Sequence, residues 1–286
     1  MSTALPELPI RRLTRDDLAA CADLSEDRGW SREESTWGLL LAAGTAMGID
    51  DPEGKGLAAC CVLTPYGSDL AAVGKLLVAR RYGHQGIGRR LMDRVMEAAG
   101  RTPLVLYATP YGQPLYQKLG FTDVGHVERI RGRLSPSAAG SVTDVKTRRA
   151  TAEDIPAIVR LDAECFGLDR TSVITRLPGL TERLWVAEDS RGLTGFAAVW
   201  DSSEQHKIGP LTAKDSGTAR ALLVAAAGSA GGPVRTDIDG RHRDLLDWAV
   251  GHGMEPVGST VLMTYGIDSL PGDWRRSFAP LSVATG

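Results

Sequence analysis

Apolar residues change period several times along the chain, and each change marks an element. Behind a glycine-rich segment at 83–88, Ile87, Leu91, Met92, Val95, Met96 and Ala99 recur at helical spacing, with Arg89, Arg90, Asp93, Arg94 and Glu97 opposite. That pattern predicts an amphipathic helix. Upstream, helical signals fill roughly 15–43, and Thr45–Asp51, Gly56–Pro65 and Leu70–Ala79 read as strands separated by DPEGKG and PYGSD turns. Leu104–Ala108 reads as a further strand, followed by a short helix around Gln113–Leu119. The second half echoes this order, with a helix at 153–165, a hairpin at 184–200, a strand at 207–212, a helix at 216–227, a strand at 233–238 and a helix at 241–250. Both halves read as α+β, helices packed on a mixed, mostly antiparallel sheet.

The echo extends to wording. Residues 11–18 read RRLTRDDL and residues 148–155 read RRATAEDI, close to half the chain apart. Thr14 with Asp17, and Thr151 with Asp154, fit a helix-capping pattern in which a hydroxyl is followed three residues later by an acid. Between the copies, Leu134–Lys146 is rich in Ser, Ala and Gly and reads as a linker. Two related domains are expected, 1–140 and 147–286, with the boundary near 140–147.

Composition narrows the field. A length of 286 residues accommodates two ordinary domains, and 33 basic against 35 acidic residues leave a net charge of −2. Neither half carries a charged tail, so no nucleic-acid partner is expected. The most apolar stretch, Trp37–Ile49, falls well short of the roughly 20 residues that span a bilayer, so no membrane partner is expected. The start shows no apolar run behind a basic segment, and the four cysteines show no CxxC spacing. Together these point to reduced thiols and a cytoplasmic protein. Five scattered histidines without HExxH suggest no metal site.

The segment LLVARRYGHQGIGRRL, Leu76–Leu91, carries the chemistry. A strand ends, a turn with Gly83, Gly86 and Gly88 follows, and a helix begins. Unpaired backbone N–H groups and the positive helix end then converge on one point, which suits a phosphate or pyrophosphate. Arg80, Arg81, Arg89 and Arg90 flank it with no acid between. A Rossmann turn needs GxGxxG and a Walker loop ends in GK[S/T], and neither order is present. Taken alone, a glycine-rich connection with solvated arginines is the other reading.

The stretch VARRYGHQGIGRRLM resembles motif A of the GNAT superfamily of acyl-CoA-dependent N-acyltransferases, whose loop pattern is [Q/R]xxGx[G/A]. It falls on Gly83-His84-Gln85-Gly86-Ile87-Gly88, with glycine in place of the first Gln or Arg. PLYQKLGF, Pro114–Phe121, resembles the family's second signature, and RRLTRDDL is similar to its first helix. The resemblance implies that the backbone of Leu77 and Val78 holds the pantetheine arm of acetyl-CoA. It implies that Gly83, His84, Gln85, Gly86, Ile87, Gly88 and Arg89 hold the pyrophosphate, and that an N–H near Val78 faces the oxyanion. Tyr116 stands in the family's tyrosine slot, as proton donor to the leaving thiolate. Where the family often has Asn, this chain has Thr109. The strand before the loop has no acid and presents Lys75; Asp69, Glu26 and a water chain are all open as the base. Trp30 and Trp37 lie where the superfamily's early helices line the acceptor groove. The implied activity is acetyl transfer from acetyl-CoA, without metal, to the amine of a small molecule or peptide. A silent acyl-CoA sensor, or another acyl group or acceptor, are the alternatives.

The second half lacks this equipment. Aligning Leu222-Leu223 with Leu91-Met92 puts Ala219 where Gly88 stood and Asp215 near the phosphate loop. Ala249 falls opposite Tyr116. This half resembles the degenerate C-terminal domain of tandem GNAT proteins. Expected roles are a scaffold that walls the acceptor pocket or forms a homodimer, or a site for a separate ligand.

Overall fold

A computed structural model describes residues 8–135, 137–140, 145–201 and 205–286. Of the expected linker and boundary, residues 136 and 141–144 lie outside the described residues. The first half runs β1 (Arg11–Leu13), α1 (Leu18–Asp27), α2 (Glu34–Ala43), β2 (Thr45–Asp50), β3 (Leu57–Tyr66), β4 (Leu70–Val78), α3 (Ile87–Ala99), β5 (Leu104–Ala108), α4 (Gln113–Lys118) and β6 (Thr122–Gly132). A short α5 (Ser137–Gly140) follows. The second half runs β7 (Lys146–Arg149), α6 (Ile155–Phe166), α7 (Thr171–Ile174), α8 (Leu177–Leu180), β8 (Arg183–Asp189), β9 (Gly192–Trp200), β10 (His206–Ala213), α9 (Ser216–Ala230), β11 (Val234–Asp239), α10 (Arg243–Gly251), β12 (Met254–Tyr265) and β13 (Ser277–Ala279).

The repeated octapeptide has one physical job in both places. Thr14 and Asp17 form a capping box, as do Thr151 and Asp154, each starting a helical turn. The first arginine of each copy ties that box to the sheet. Arg11 reaches Asp17 at 2.6 Å and Asp50 at 2.8 Å, and Arg148 reaches Asp154 at 2.7 Å and Glu188 at 2.9 Å. Further on, the single helical run expected over 15–43 is broken into α1 and α2. Gly29 at φ 77° and Glu33 at φ 45° stop a right-handed helix there. Helix α3 follows its sequence pattern: Ile87, Leu91, Met92 and Val95 are buried, each contributing about 1.5–3 kcal/mol by leaving water.

All the strands belong to one sheet, in the order β1-β2-β3-β4-β5-β12-β6-β11-β10-β9-β8-β7, with β13 added beside β10. Strands β4 and β5 are parallel, as are β10 and β11, and every other pair is antiparallel. At the centre the halves exchange their last long strands. Strand β6 follows β5 in sequence but pairs with β11, Val127 to Gly132 lying opposite Asp239 to Val234. Strand β12 of the second half pairs with β5 instead, Val261 to Tyr265 opposite Ala108 to Leu104. The exchanged strands also pair with one another along most of their length. Neither was expected from the hydrophobic pattern. Residues 122–132 are mostly polar and half-exposed, and 254–260 likewise, so the period-2 signal of a one-sided strand is weak.

Candidate active site

The two halves differ at one equivalent place, where a parallel strand pair opens. Strand β4 is in register with β5 only at Ala71 and Ala72, opposite Leu104 and Val105. Beyond that the strands part. A bulge on β4 lies opposite Cys61, with Lys75 at φ 51°. Past the bulge, the Ala79 N–H donates to the Ala58 carbonyl at 2.8 Å, so those residues form a hydrogen-bonded pair. Alternation along an antiparallel ladder then gives Leu77 to β3, opposite Cys60, and turns the N–H and C=O of Val78 into the gap beside β5. The backbone of Leu77 thus faces β3, while that of Val78 faces the cleft.

The chain then turns through Arg80–Tyr82 and the glycine loop into α3. Gly86, at φ 78°, precedes the first helical residue, and His84 stands at φ 61°. Among the described residues, the backbone N–H groups from His84 through Arg89 form no hydrogen bond with the protein, whereas Gly83 donates to Arg80 and Arg90 to Gly86. A Cβ placed on Gly86 would meet nothing within 4 Å. These free donors and the helix end make a cradle for an anion. His84, Gln85 and Gly86 are exposed, the Ile87 side chain is buried, and Gly83 and Gly88 are intermediate. Arg89 extends along the helix surface to Asp93 at 2.9 Å.

Tyr116, on α4, is buried and packs edge-on against Phe121 with ring centroids 5.8 Å apart, and its hydroxyl makes no hydrogen bond among the described residues. Burial pushes its phenol well above the usual range. A Cβ at Gly88 would lie 3.7 Å from both Leu115 of α4 and Val78 of β4, so the helix start, α4 and the parted strand converge. Thr109 caps the turn into α4, its hydroxyl accepting from the Gly112 N–H at 3.2 Å. Tyr111 stands at the rim, 66% exposed, with its hydroxyl 3.3 Å from His84 Nε2.

The other end of the gap is charged, and it holds residues that no local pattern marks. Glu33, from the α1–α2 connection, is bound by Lys75 of β4 at 2.9 Å and by Arg235 of β11 at 2.8 Å. Burial alone would push the Glu33 carboxyl up, but Lys75, Lys207 and Arg235 together hold it well below the ordinary carboxylate range. Lys75 lies against both expected tryptophans, 5.5 Å from the Trp30 ring and 5.3 Å from that of Trp37. Trp30 is 41% exposed. Trp37 is wholly buried, its indole N–H donating to Ser25, so its ring supports the site from below. Glu26 is held by Arg32 on the surface, and Asp69 lies in the β3–β4 turn.

In the second half the equivalent features are filled by the chain itself. Asp215 caps α9, and its carboxylate accepts from the Thr218 N–H at 2.7 Å, where the first half leaves its donors free. Strands β10 and β11 part after Ile208 and Thr236, and β13 adds to the edge of β10 at Leu211 and Thr212. His242 stacks on Phe278 of β13 at 3.8 Å and holds the Ser277 carbonyl at 2.9 Å. Both the anion position and the strand gap are occupied.

Known proteins resemble this chain in sequence and fold. Residues 48–123 match an acetyltransferase (GNAT) domain family, and residues 158–279 match a second acetyltransferase (GNAT) domain family. Among curated proteins, the chain is 25% identical over 257 residues to the uncharacterized N-acetyltransferase YitH of Bacillus subtilis (strain 168), covering 89% of this chain and 90% of that protein. Among solved structures it is similar to a Pyrococcus horikoshii protein named as an acetyltransferase, with a TM-score of 0.81, 22% identity and coverage of 99% and 98%. It is also similar to a tandem GNAT protein from the clavulanic acid biosynthesis pathway, with a TM-score of 0.62, 16% identity and coverage of 92% and 100%. Two GNAT domains therefore follow one another in this chain. Among the described residues no helix is long and apolar enough to cross a membrane.

Proposed function

We propose that this pair of tandem GNAT domains transfers an acetyl group from acetyl-CoA to a primary amine, at a single site in its first half. The observation that carries the reading is the run of free N–H groups from His84 to Arg89 at the start of α3, beside the opened β4–β5 pair. When bound, acetyl-CoA supplies the activated thioester. The loop N–H groups bind its pyrophosphate, and the exposed backbone of Val78 pairs with the pantetheine amides as a further strand would. The Val78 N–H also faces the developing oxyanion. Tyr116 holds a proton at its hydroxyl and gives it to the departing thiolate, and burial keeps that proton in place at neutral pH. Trp30 bounds the acceptor side. Positioning two reactants in one cleft supplies much of the acceleration.

The division of labour assigns the acyl-CoA site to residues 1–140 and a scaffold role to residues 147–286. The acceptor is a small-molecule or peptide amine, and the location is cytoplasmic. Titration calorimetry of the full chain with acetyl-CoA tests the reading. One site per chain is expected. Two sites would overturn the division between halves, and no binding would overturn the transferase reading.

A further inference from the structure

Where the two halves meet, four cations face two carboxylates. Lys75 and Arg235 share Glu33, and Arg129 of β6 takes Asp237 of β11 at 2.7 Å. Lys207 of β10 is left over. It is 5% exposed, and its ammonium has no hydrogen-bond partner among the described residues; the Trp200 ring lies 5.0 Å away. Arg235, opposite Lys207 in the parallel β10–β11 register, also keeps a buried Nε without a partner. Burial pushes Lys207 down to about 8; Glu33 and Asp237 pull it up, and Arg235 and Lys75 push it further down. A buried cation without a partner is costly, and the Lys207 ammonium beside the free Nε of the Glu33-paired Arg235 creates a demand for an anion.

The position of this demand matters. Lys75 lies three residues before Val78 on β4, at most about 10 Å along the strand from the backbone that faces the cleft. Glu33 and Arg235, with side chains each 16% exposed, form the open side of the cluster. An acceptor whose amine reaches Val78 therefore puts its far end among these cations.

We propose that the acceptor is a small amine bearing an anionic group of the carboxylate class, and that Lys207 and Arg235 of the second half pair with that group. The inference rests on the transferase reading and adds the substrate class. It also gives the second half a part in recognition: Lys207 and Arg235 come from β10 and β11, while the amine end lies against β4. That separation suits a small amino acid whose amine and carboxylate stand several bonds apart.

The test uses the full chain with acetyl-CoA and a matched set of amines: an amino acid, its phosphonate analogue and its neutral amide, followed by thiol release. We expect kcat/KM for the amino acid to exceed that of the amide at least about tenfold, and Lys207→Met to bring the ratio near one while acetyl-CoA affinity, measured by calorimetry, stays the same. Thermal protection of the wild-type chain by the amino acid with CoA, lost in Lys207→Met, gives a readout without turnover. A phosphonate preferred over the carboxylate, again dependent on Lys207, would support the anion site with a phosphoryl source. Turnover without preference for an anionic amine, or a preference that survives in Lys207→Met, would overturn the inference and leave the transferase reading standing. Binding of acetyl-CoA with no transfer to any amine would remove both.

Discussion

Glu33 Oε2 and Lys75 Nζ meet at 2.9 Å, and both residues sit in left-handed backbone, at φ 45° and 51°. With His84 they are the non-glycine residues at positive φ among the described residues, and all three line the cleft. Side chains pay strain of about 1–3 kcal/mol in such conformations. Its concentration here marks a site held in shape by its surroundings. Removing the carboxylate, by Glu33→Gln, leaves Lys75 and Arg235 without their shared anion. A loss of about 3 kcal/mol in stability is expected, with acetyl-CoA affinity retained. Chemical denaturation and calorimetry on the same variant check both halves of that statement.

Gly86→Glu places a carboxylate at the start of α3 in front of donors that await an anion. Space is available for the side chain, so the fold survives apart from about 1–2 kcal/mol of backbone strain. Acetyl-CoA affinity should fall by about 100-fold, or roughly 3 kcal/mol, as the new carboxylate competes for the loop donors and repels the pyrophosphate. The second half already shows the arrangement, with Asp215 seated on α9. Unchanged affinity would remove the loop from the site.

Tyr116→Phe deletes one hydroxyl and leaves the ring against Phe121. Turnover should fall about 100-fold, as for loss of a general acid, with little change in acetyl-CoA affinity. Burial keeps the Tyr116 phenol protonated into alkaline pH. Full activity in the variant would take Tyr116 out of the mechanism.

Stability should depend on pH through Lys207. In the folded chain its ammonium, faced by Glu33, Asp237, Arg235 and Lys75, loses its proton near 8; in the unfolded chain it keeps that proton to about 10.5. Between these values the unfolded state binds more protons, so stability rises with pH. The penalty is fully present below about 8 and relieved toward 10.5, by about 3 kcal/mol at most. Melting temperatures of the wild type and Lys207→Met, compared at neutral and alkaline pH, should converge as pH rises. A gap independent of pH would refute the assignment.

The strand exchange predicts that residues 1–140 do not fold alone. Strand β5 is buried throughout and pairs on one side with β12, so its removal exposes an apolar edge. Co-expression with residues 145–286 should restore a soluble, cooperative unit that binds acetyl-CoA. A monomeric, folded 1–140 fragment would contradict the pairing.

Local signals made much of this legible in sequence. The glycine loop, α3, the short helix at Tyr116 and the capping boxes at Thr14 and Thr151 each depend on residues a few positions apart, and Asp215 is readable as an acid at the start of the second half's helix. Glu33 was not legible, because it lies in SREES within what reads as a continuous helix. Its importance comes from Lys75 and Arg235, which are 42 and 202 residues away. Lys207 and Arg235 look like ordinary strand-edge cations until β10 and β11 are laid side by side. The exchange of β6 and β12 is invisible for the same reason: polar strands reveal their partners only through the finished sheet.

The exchanged strands also bear on how such a chain can change over generations. A duplicated domain that loses its anion cradle would ordinarily be free to decay or be deleted. Here residues 254–265 cover β5 of the first half, and β6 in turn completes the sheet of the second. Retention of the second half is therefore tied to hydrogen-bond pairing with the first. Loss of its last strand would leave β5 unpaired on one side.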